Sequence, residues 1–563
     1  MQFVETDVLV IGGGGAAGMA AIEASKKTSY VAVAVKGKFG KSGATPMAVG
    51  AAAAVGPWHH PGDSKETHLK DTVRGGADLN EDKLVRALCN EAGDRMVDLE
   101  RYGAYWERAD KGVNYMLRTD GGHSHPRSPY LEDRPGLEFM RVMKGVLAGR
   151  NVPLYEDLMI TKLLTDGEKV TGAAGINMLS GEPLVFRAKA TVVAAGGAGE
   201  LYPLNTQDIR NTGDGYAIAL EAGAALMDME FVQFYPIGLV QPRSVRGILA
   251  APPYYVRLLN KDGERFMTGY DSRLEQATRD ILSRSVYLEI EAGRGTPNGG
   301  VYADMTYHPP GFMQRQMPAL CEKYLKWGID IEKEMIEIAP TVHFFMGGLK
   351  VDENWATTLP GLYAAGEAAG GVHGANRLSQ NSLADILVSG CRAGKAAGIY
   401  ARGASLAELN PGQVEQEFSR VFGVLTAGTG NAKGQRPFQL RNNLKEIMWD
   451  KAGLMRDEAG LKEGLGRVET LISGEAPGMR VTSPSKIANR EWVEALENIN
   501  LLKVAQCIIQ SALIRTESRG AHHRKDYPQR DDAGWLKHVV ATGRDGSLSI
   551  SLADLNRCDL GEE

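Results

Sequence analysis

The sequence predicts an α/β fold, and three features carry the prediction. Residues 7–11 (Asp-Val-Leu-Val-Ile) form the short, continuously apolar run of a buried parallel strand. A glycine run from Gly12 to Gly15, a helical pattern from Met19 to Lys27 and a second apolar run at Val31 to Val35 complete a strand–helix–strand unit. A third run, Ala190 to Ala195, ends in Gly196-Gly197, again a strand entering a tight turn.

The elements between these are mixed. Residues 80–102 show helical periodicity through Leu84, Leu88, Ala92, Met96 and Leu99. From about 236 to 342 prolines, aromatics and charges become more frequent, and strand-like texture returns at Gly361 to Ala369. Beyond about 420 the pattern is mostly helical, with Leu440, Leu444, Met448 and Leu454 on one face. A chain of 563 residues exceeds what one core supports, so two to four domains are expected. No internal repeat is visible.

Composition narrows the function. With 64 basic and 69 acidic side chains the net charge is −5, which gives no electrostatic reason to expect nucleic acid or an anionic membrane as partner. The five cysteines (Cys89, Cys321, Cys391, Cys507 and Cys558) are scattered, without the spacing of a cluster or a structural metal site, so no metal is assigned. Their odd, dispersed set fits a reducing compartment. No apolar stretch approaches 18 residues, so no membrane insertion is expected, and a cytoplasmic location is the simplest reading.

The glycine run is a phosphate-binding fingerprint. Gly13-x-Gly15-x-x-Gly18 stands between strand and helix, where the first glycine permits the turn and the second lets backbone approach a diphosphate. The third lets the helix pack close, with its N-terminus facing negative charge. After the second strand, Val35-Lys36 stands where a nicotinamide site often carries an acid for the ribose. That argues against NAD and for FAD in a Rossmann-like domain.

Further along, ordered motifs make the chain resemble the fumarate reductase, succinate dehydrogenase and L-aspartate oxidase flavoproteins. They include Asp71-Thr-Val-Arg-Gly-Gly76, Ala195-Gly-Gly-Ala-Gly199, Thr212-Gly-Asp-Gly215 and Glu230-Phe-Val-Gln233. Thr278-Arg-Asp280, Thr341-Val-His343, Gly361-Leu-Tyr-Ala-Ala-Gly-Glu367, His373-Gly-Ala-Asn-Arg-Leu378 and Asn381-Ser-Leu383 follow in order. The resemblance implies an FAD-binding domain at 1–235 and 343–420, an α+β capping domain inserted at 236–342, and a helical C-terminal domain at 421–563. It implies that Arg279 delivers a proton while His343 and Arg377 bind a substrate carboxylate. The candidate cofactor contacts are Gly13, Gly15, Gly18, Lys36, Ser42, Gly43, Ala195, Gly196, Asp214, Gly366, Glu367, Ser382 and Leu383. Of these, Gly366 and Glu367 are expected near the adenosine half of FAD, and Ser382 and Leu383 near the isoalloxazine ring.

The departures from the family pattern carry information as well. The segment Lys41-Ser-Gly-Ala-Thr45 lacks the histidine that holds flavin covalently, so non-covalent FAD and the reductive direction are expected. In the far half of the substrate pocket Tyr235 replaces a histidine, Ala251-Pro252 a Thr-Glu pair, and Asp120 an aromatic residue. A site whose polar groups change is expected to change its grip on the substrate. Either the substrate has a different second end, or a fumarate site is rebuilt around Tyr235. The leading expectation is a small carboxylate reduced at its C=C bond, with electrons from a separate iron–sulfur partner. Amine oxidation of the L-aspartate oxidase kind, an adenylylsulfate-reductase-like activity suggested by Ser42-Gly-Ala44, and a pure electron relay are the alternatives.

Overall fold

The computed structural model describes residues 1–58, 60–109, 114–118, 121–427, 434–544 and 547–557. Its main sheet has seven strands, mixed in direction, around Gln2–Ile11. That strand lies parallel between Val31–Ala34 (Val8 opposite Val31) and Pro183–Val193 (Val8 opposite Ala190). It begins five residues before the apolar run. Residues 2–6 pair only with Pro183–Val193 and stay largely exposed, so they carry no apolar signal.

The eleven-residue strand Pro183–Val193 is shared. Its first half pairs antiparallel with Val170–Asn177, and its last residues pair in parallel with Leu362–Ala364. This places Gly12, Gly196 and Gly366 at adjacent strand ends, the edge where doubly wound sheets bind ligands. Side chains are excluded from part of that edge. A Cβ on Gly12 would lie 2.1 Å from the Ala194 carbonyl oxygen.

Two helices cross behind this edge, Gly15–Ser25 and Asn381–Gly403. Small residues let them touch, because a Cβ on Gly394 would meet the Ala20 carbonyl oxygen at 2.1 Å. Alanine at 394 would force the helices apart, at a cost of roughly 1–3 kcal/mol. The third fingerprint glycine has the same role. Gly18 faces Met143 of the helix Pro135–Gly149, and a Cβ there would come within 2.7 Å of the sulfur.

An antiparallel sheet in the order Val232–Leu239, Ile336–Phe345, Val301–Asp304, Arg257–Leu259 builds a second body with its own core, including Ile237, Leu258, Met267, Val286 and Ile338. Its first two strands also run back into the main body, where Val232 pairs with Phe345 and Phe234 with Val342. The expected boundaries at 235/236 and 342/343 thus fall inside one pair of hydrogen-bonded strands.

The C-terminal part contains the helices Pro437–Ala452, Glu458–Thr470 and Arg490–Ile514. It ends in a hairpin, Lys537–Arg544 with Ser547–Asp554, that joins the short strand Leu226–Met227 through Val540 opposite Met227. The hairpin follows the helices of a region whose sequence pattern is mostly helical. Among the described residues no helix is long and apolar enough to cross a membrane.

Candidate active site

One elongated cavity runs along the strand edge. At one end lie Gly13, Gly14 and Gly15, with Lys36, Arg210 and Asp214 beside them; at the other lie Arg279, His343 and Arg377. Ser42, Gly43, Ala195, Gly196, Glu367, Ser382 and Leu383 line it as well. The helix Gly15–Ser25 starts here without a side-chain cap, at Gly14. Gly15 N–H donates to the Thr45 hydroxyl (3.1 Å), and the positive end of the helix dipole faces the cavity, as a diphosphate requires. The residues present therefore fit FAD.

The fingerprint's second strand ends in an ionic knot. Lys36 Nζ lies 2.6 Å from Asp214 Oδ2, 2.9 Å from Glu497 and 2.5 Å from the Thr212 hydroxyl. Burial alone would lower this ammonium, but the two carboxylates raise its pKa above the ordinary value. Lys36 is thereby fixed as a cation that orients Asp214 at the start of its helix.

Gly366 and Glu367 stand at the end of the strand Leu362–Ala364. Gly366 packs on Ala16 of the phosphate-binding helix. The Glu367 carboxylate accepts hydrogen bonds from Phe345 N (3.0 Å) and from the Gln207 amide. It sits against the strand that carries His343, not beside Lys36 and Asp214. Burial pushes its pKa up to about 7. Gly18 is absent from the cavity lining and serves helix packing.

The three expected catalytic side chains converge. Arg279 opens the helix Arg279–Glu289, His343 lies on Ile336–Phe345, and Arg377 precedes the helix Asn381–Gly403. The residue that joins them, Gln233, was not expected. Its Oε1 accepts from Arg279 (3.3 Å) and Arg377 (3.1 Å), while its Nε2 donates to Asn376 Oδ1 and the Arg377 carbonyl, both at 2.8 Å. Gln233 is fully buried, and this double role fixes the direction of its amide.

Neutral groups contact both arginines. Arg279 also donates to the Ser379 hydroxyl (3.0 Å), and Arg377 to the Leu378 carbonyl (3.1 Å). Each guanidinium lies over an aromatic ring, Arg279 over Tyr235 and Arg377 over Phe344, at 4.9 Å. The neighbouring Asp280 pairs with Arg284 instead of Arg279.

His343 Nδ1 is 2.7 Å from the Thr206 hydroxyl, which leaves Nε2 for a ligand. Burial first, then Arg279 and Arg377, hold its pKa well below the usual histidine value. At neutral pH the imidazole is therefore uncharged, and the tautomer in which Thr206 donates to Nδ1 presents Nε2–H as a donor.

The far half of the pocket is apolar. The Tyr235 hydroxyl donates to the Ala251 carbonyl (2.8 Å), and its ring lies 5.1 Å from that of His343. Tyr235 and Ala251 both belong to the core of the second body, on which Val49 and Leu249 pack from the cavity side. Asp120 lies outside the described residues.

A glycine-lined cavity that fits FAD, with two arginines and a histidine on its wall, is that of an FAD-dependent oxidoreductase. Comparison with known proteins gives the family. The FAD binding domain model matches residues 7–383, and the fumarate reductase flavoprotein C-term model matches residues 441–560. The chain belongs to the fumarate reductase and succinate dehydrogenase flavoprotein family. It is 41% identical to one of the subunits of the fumarate reductase (CoM/CoB) of Methanothermobacter marburgensis, over 94% of this chain and 95% of that one. It is 32% identical to L-aspartate oxidase of Synechocystis over 95% and 97% of the two chains. A solved quinol-fumarate reductase with menaquinol superimposes with a TM-score of 0.92, at 30% identity and covering 99% of both chains.

Proposed function

We propose that this chain is the catalytic subunit of a fumarate reductase, reducing the C=C bond of a C4-dicarboxylate with electrons received from a separate iron–sulfur partner. The convergence of Arg279, Arg377 and neutral His343 around Gln233 supports this reading. The two guanidinium groups, which contact amide, hydroxyl, carbonyl and ring groups, present a cationic field to an anionic ligand.

FAD, when bound, supplies the hydride. Arg377 and the Nε2–H of His343 hold one carboxylate and stabilise the charge that builds on it as the adjacent C=C is reduced. Arg279 lies across Gln233 from Arg377, so its Nη group reaches the opposite side of the bound substrate. From there it delivers the proton to the second alkene carbon. Ser379 and Gln233 fix the guanidinium plane throughout.

The test is reoxidation of the chemically reduced protein. Fumarate should restore the oxidised flavin spectrum and form succinate, whereas crotonate, with one carboxylate, should act weakly. FAD should leave the protein on acid precipitation, since the attachment segment has no histidine. A flavin that fumarate cannot reoxidise, while L-aspartate reduces the oxidised form, would replace this reading by amine oxidation.

A further inference from the structure

The apolar half of the pocket contains one polar side chain unaccounted for by the fold. Gln380 is 4% exposed and lines the cavity, yet neither its Oε1 nor its Nε2 has a hydrogen-bond partner. A buried primary amide left unsatisfied on both atoms costs several kilocalories relative to water, so its position calls for a ligand.

The backbone is committed to that position. Gln380 adopts φ = 64°, the left-handed region that glycine or asparagine takes more readily, directly before the helix Asn381–Gly403. Its carbonyl accepts from Ala53 N (3.2 Å), tying it to the 47–55 segment. Its Cγ would lie 3.9 Å from a Cβ on Gly50, beside Val49, which packs on the core holding Tyr235 and Ala251. Gln380 therefore stands at the apolar wall, while its neighbour Ser379 holds Arg279.

We propose that the Gln380 amide binds the second carboxylate of the substrate, the one that Arg377 and His343 do not hold. This inference rests on the dicarboxylate reading above. The Nε2 group donates to that carboxylate, giving the far end a neutral donor. Such a grip selects a dicarboxylate over a monocarboxylate and adds no charge beside Arg279.

The test measures binding to the oxidised holoenzyme by perturbation of the flavin spectrum, with fumarate and crotonate as probes. Gln380→Met keeps the length and removes the hydrogen bond. It should raise the fumarate Kd about 10- to 100-fold, with crotonate changed less than about 3-fold. Gln380→Glu places a carboxylate at the same point and should weaken fumarate further still. FAD content and melting midpoint check that each variant folds, and Gln380→Asn, which tolerates φ > 0, provides a second folded variant with a shortened amide. Unchanged fumarate binding in the folded variants overturns the assignment. So does equal loss of both probes, or a changed flavin spectrum in the free variant with affinities intact, which would put the amide on the flavin. If the wild type itself binds no dicarboxylate, the functional reading fails first and this assignment with it.

Discussion

Arginines of the C-terminal part and arginines of the cavity have partners that differ in kind. In the C-terminal part, Arg515 is fully buried between Glu230 (2.6 Å) and Glu517 (3.1 Å), and Arg519 between Glu517 (2.7 Å) and Asp532 (2.8 Å). At the cavity, Arg279 meets the Gln233 amide and the Ser379 hydroxyl. Charge neutralised inside the protein locks elements together, here the helix Arg490–Ile514 to the segment around Glu230. Charge held by neutral dipoles stays available to a ligand. The same residue type is structural in one place and functional in the other, and the partner decides which.

The comparison breaks most directly at Arg279. Arg279→Met should lower fumarate turnover on the order of 1,000-fold or more, at least about 4 kcal/mol in the barrier. Unfolding midpoint and FAD content should stay near wild type, since no internal carboxylate is stranded. Retained turnover would remove Arg279 from the proton step.

Arg515→Met should do the opposite. Removing one member of a buried ion pair strands the other charges and costs about 3–5 kcal/mol of stability. Denaturant midpoints should fall by that amount, and the surviving folded fraction should keep its turnover per FAD. A variant as stable as wild type would show that the C-terminal network is not structural in this sense.

His538 extends the structural case to pH. It lies 2.6 Å from Asp228 and 3.0 Å from Glu81, fastening the C-terminal hairpin to the main body. Burial opposes its charge, but the two carboxylates prevail and raise its pKa to about 9. Its folded value thus exceeds the unfolded value of about 6.5. The stabilisation, about 3 kcal/mol, is complete below pH 6.5 and is lost as pH rises through 9. Urea midpoints from pH 6 to 10 should fall more steeply for wild type than for His538→Gln, and parallel curves would refute the linkage.

The carboxylate-binding pair should show smaller effects. Arg377→Met or His343→Ala should each weaken fumarate binding about 10- to 100-fold, the loss of one charge-assisted contact worth about 1.5–3 kcal/mol. Because His343 is neutral in the free protein, bound dianion should raise its pKa. Fumarate binding then takes up protons on the acid side of neutrality, and affinity should improve as pH falls there. Equal affinity from pH 5.5 to 8 would contradict the arrangement of cations around His343.

Much of the cavity was legible in sequence because its backbone requirements leave marks. Gly13 to Gly18, the apolar strands and the Arg279, His343 and Arg377 motifs were all readable, and the family comparison agrees with the fold they implied. Gln233, Ser379 and Gln380 were not singled out. Uncharged polar residues carry no periodicity, and Gln233 meets Arg377 across 144 positions of chain. The left-handed φ of Gln380 has no sequence signal when the residue is not glycine. The partners of Glu367, Phe345 N and the Gln207 amide, were not legible, because a motif gives order along the chain and not which strand lies beside it. The C-terminal hairpin carries its alternating apolar pattern in Leu548, Ile550 and Leu552, which the helical texture before it obscured.

The smallest expected effect concerns Tyr235, and it separates a wall from a ligand. This residue stands where the family carries a substrate-binding histidine, so a site rebuilt around its hydroxyl was one expectation. In the structure that hydroxyl donates to the Ala251 carbonyl within the core of the second body, and the ring backs Arg279 and His343. Tyr235→Phe keeps the ring and removes one neutral hydrogen bond. It should cost about 1 kcal/mol of stability and leave the fumarate Kd within about 2- to 3-fold of wild type. Tyr235→Leu, which removes the aromatic face under Arg279, should lower turnover more than affinity, because a cation–ring contact of about 0.5–2 kcal/mol is lost at the proton donor. A 10-fold loss of fumarate affinity in Tyr235→Phe would instead show that the hydroxyl turns from Ala251 to the substrate. The far carboxylate would then belong to Tyr235, and the neutral wall that sets Gln380 apart would no longer exist.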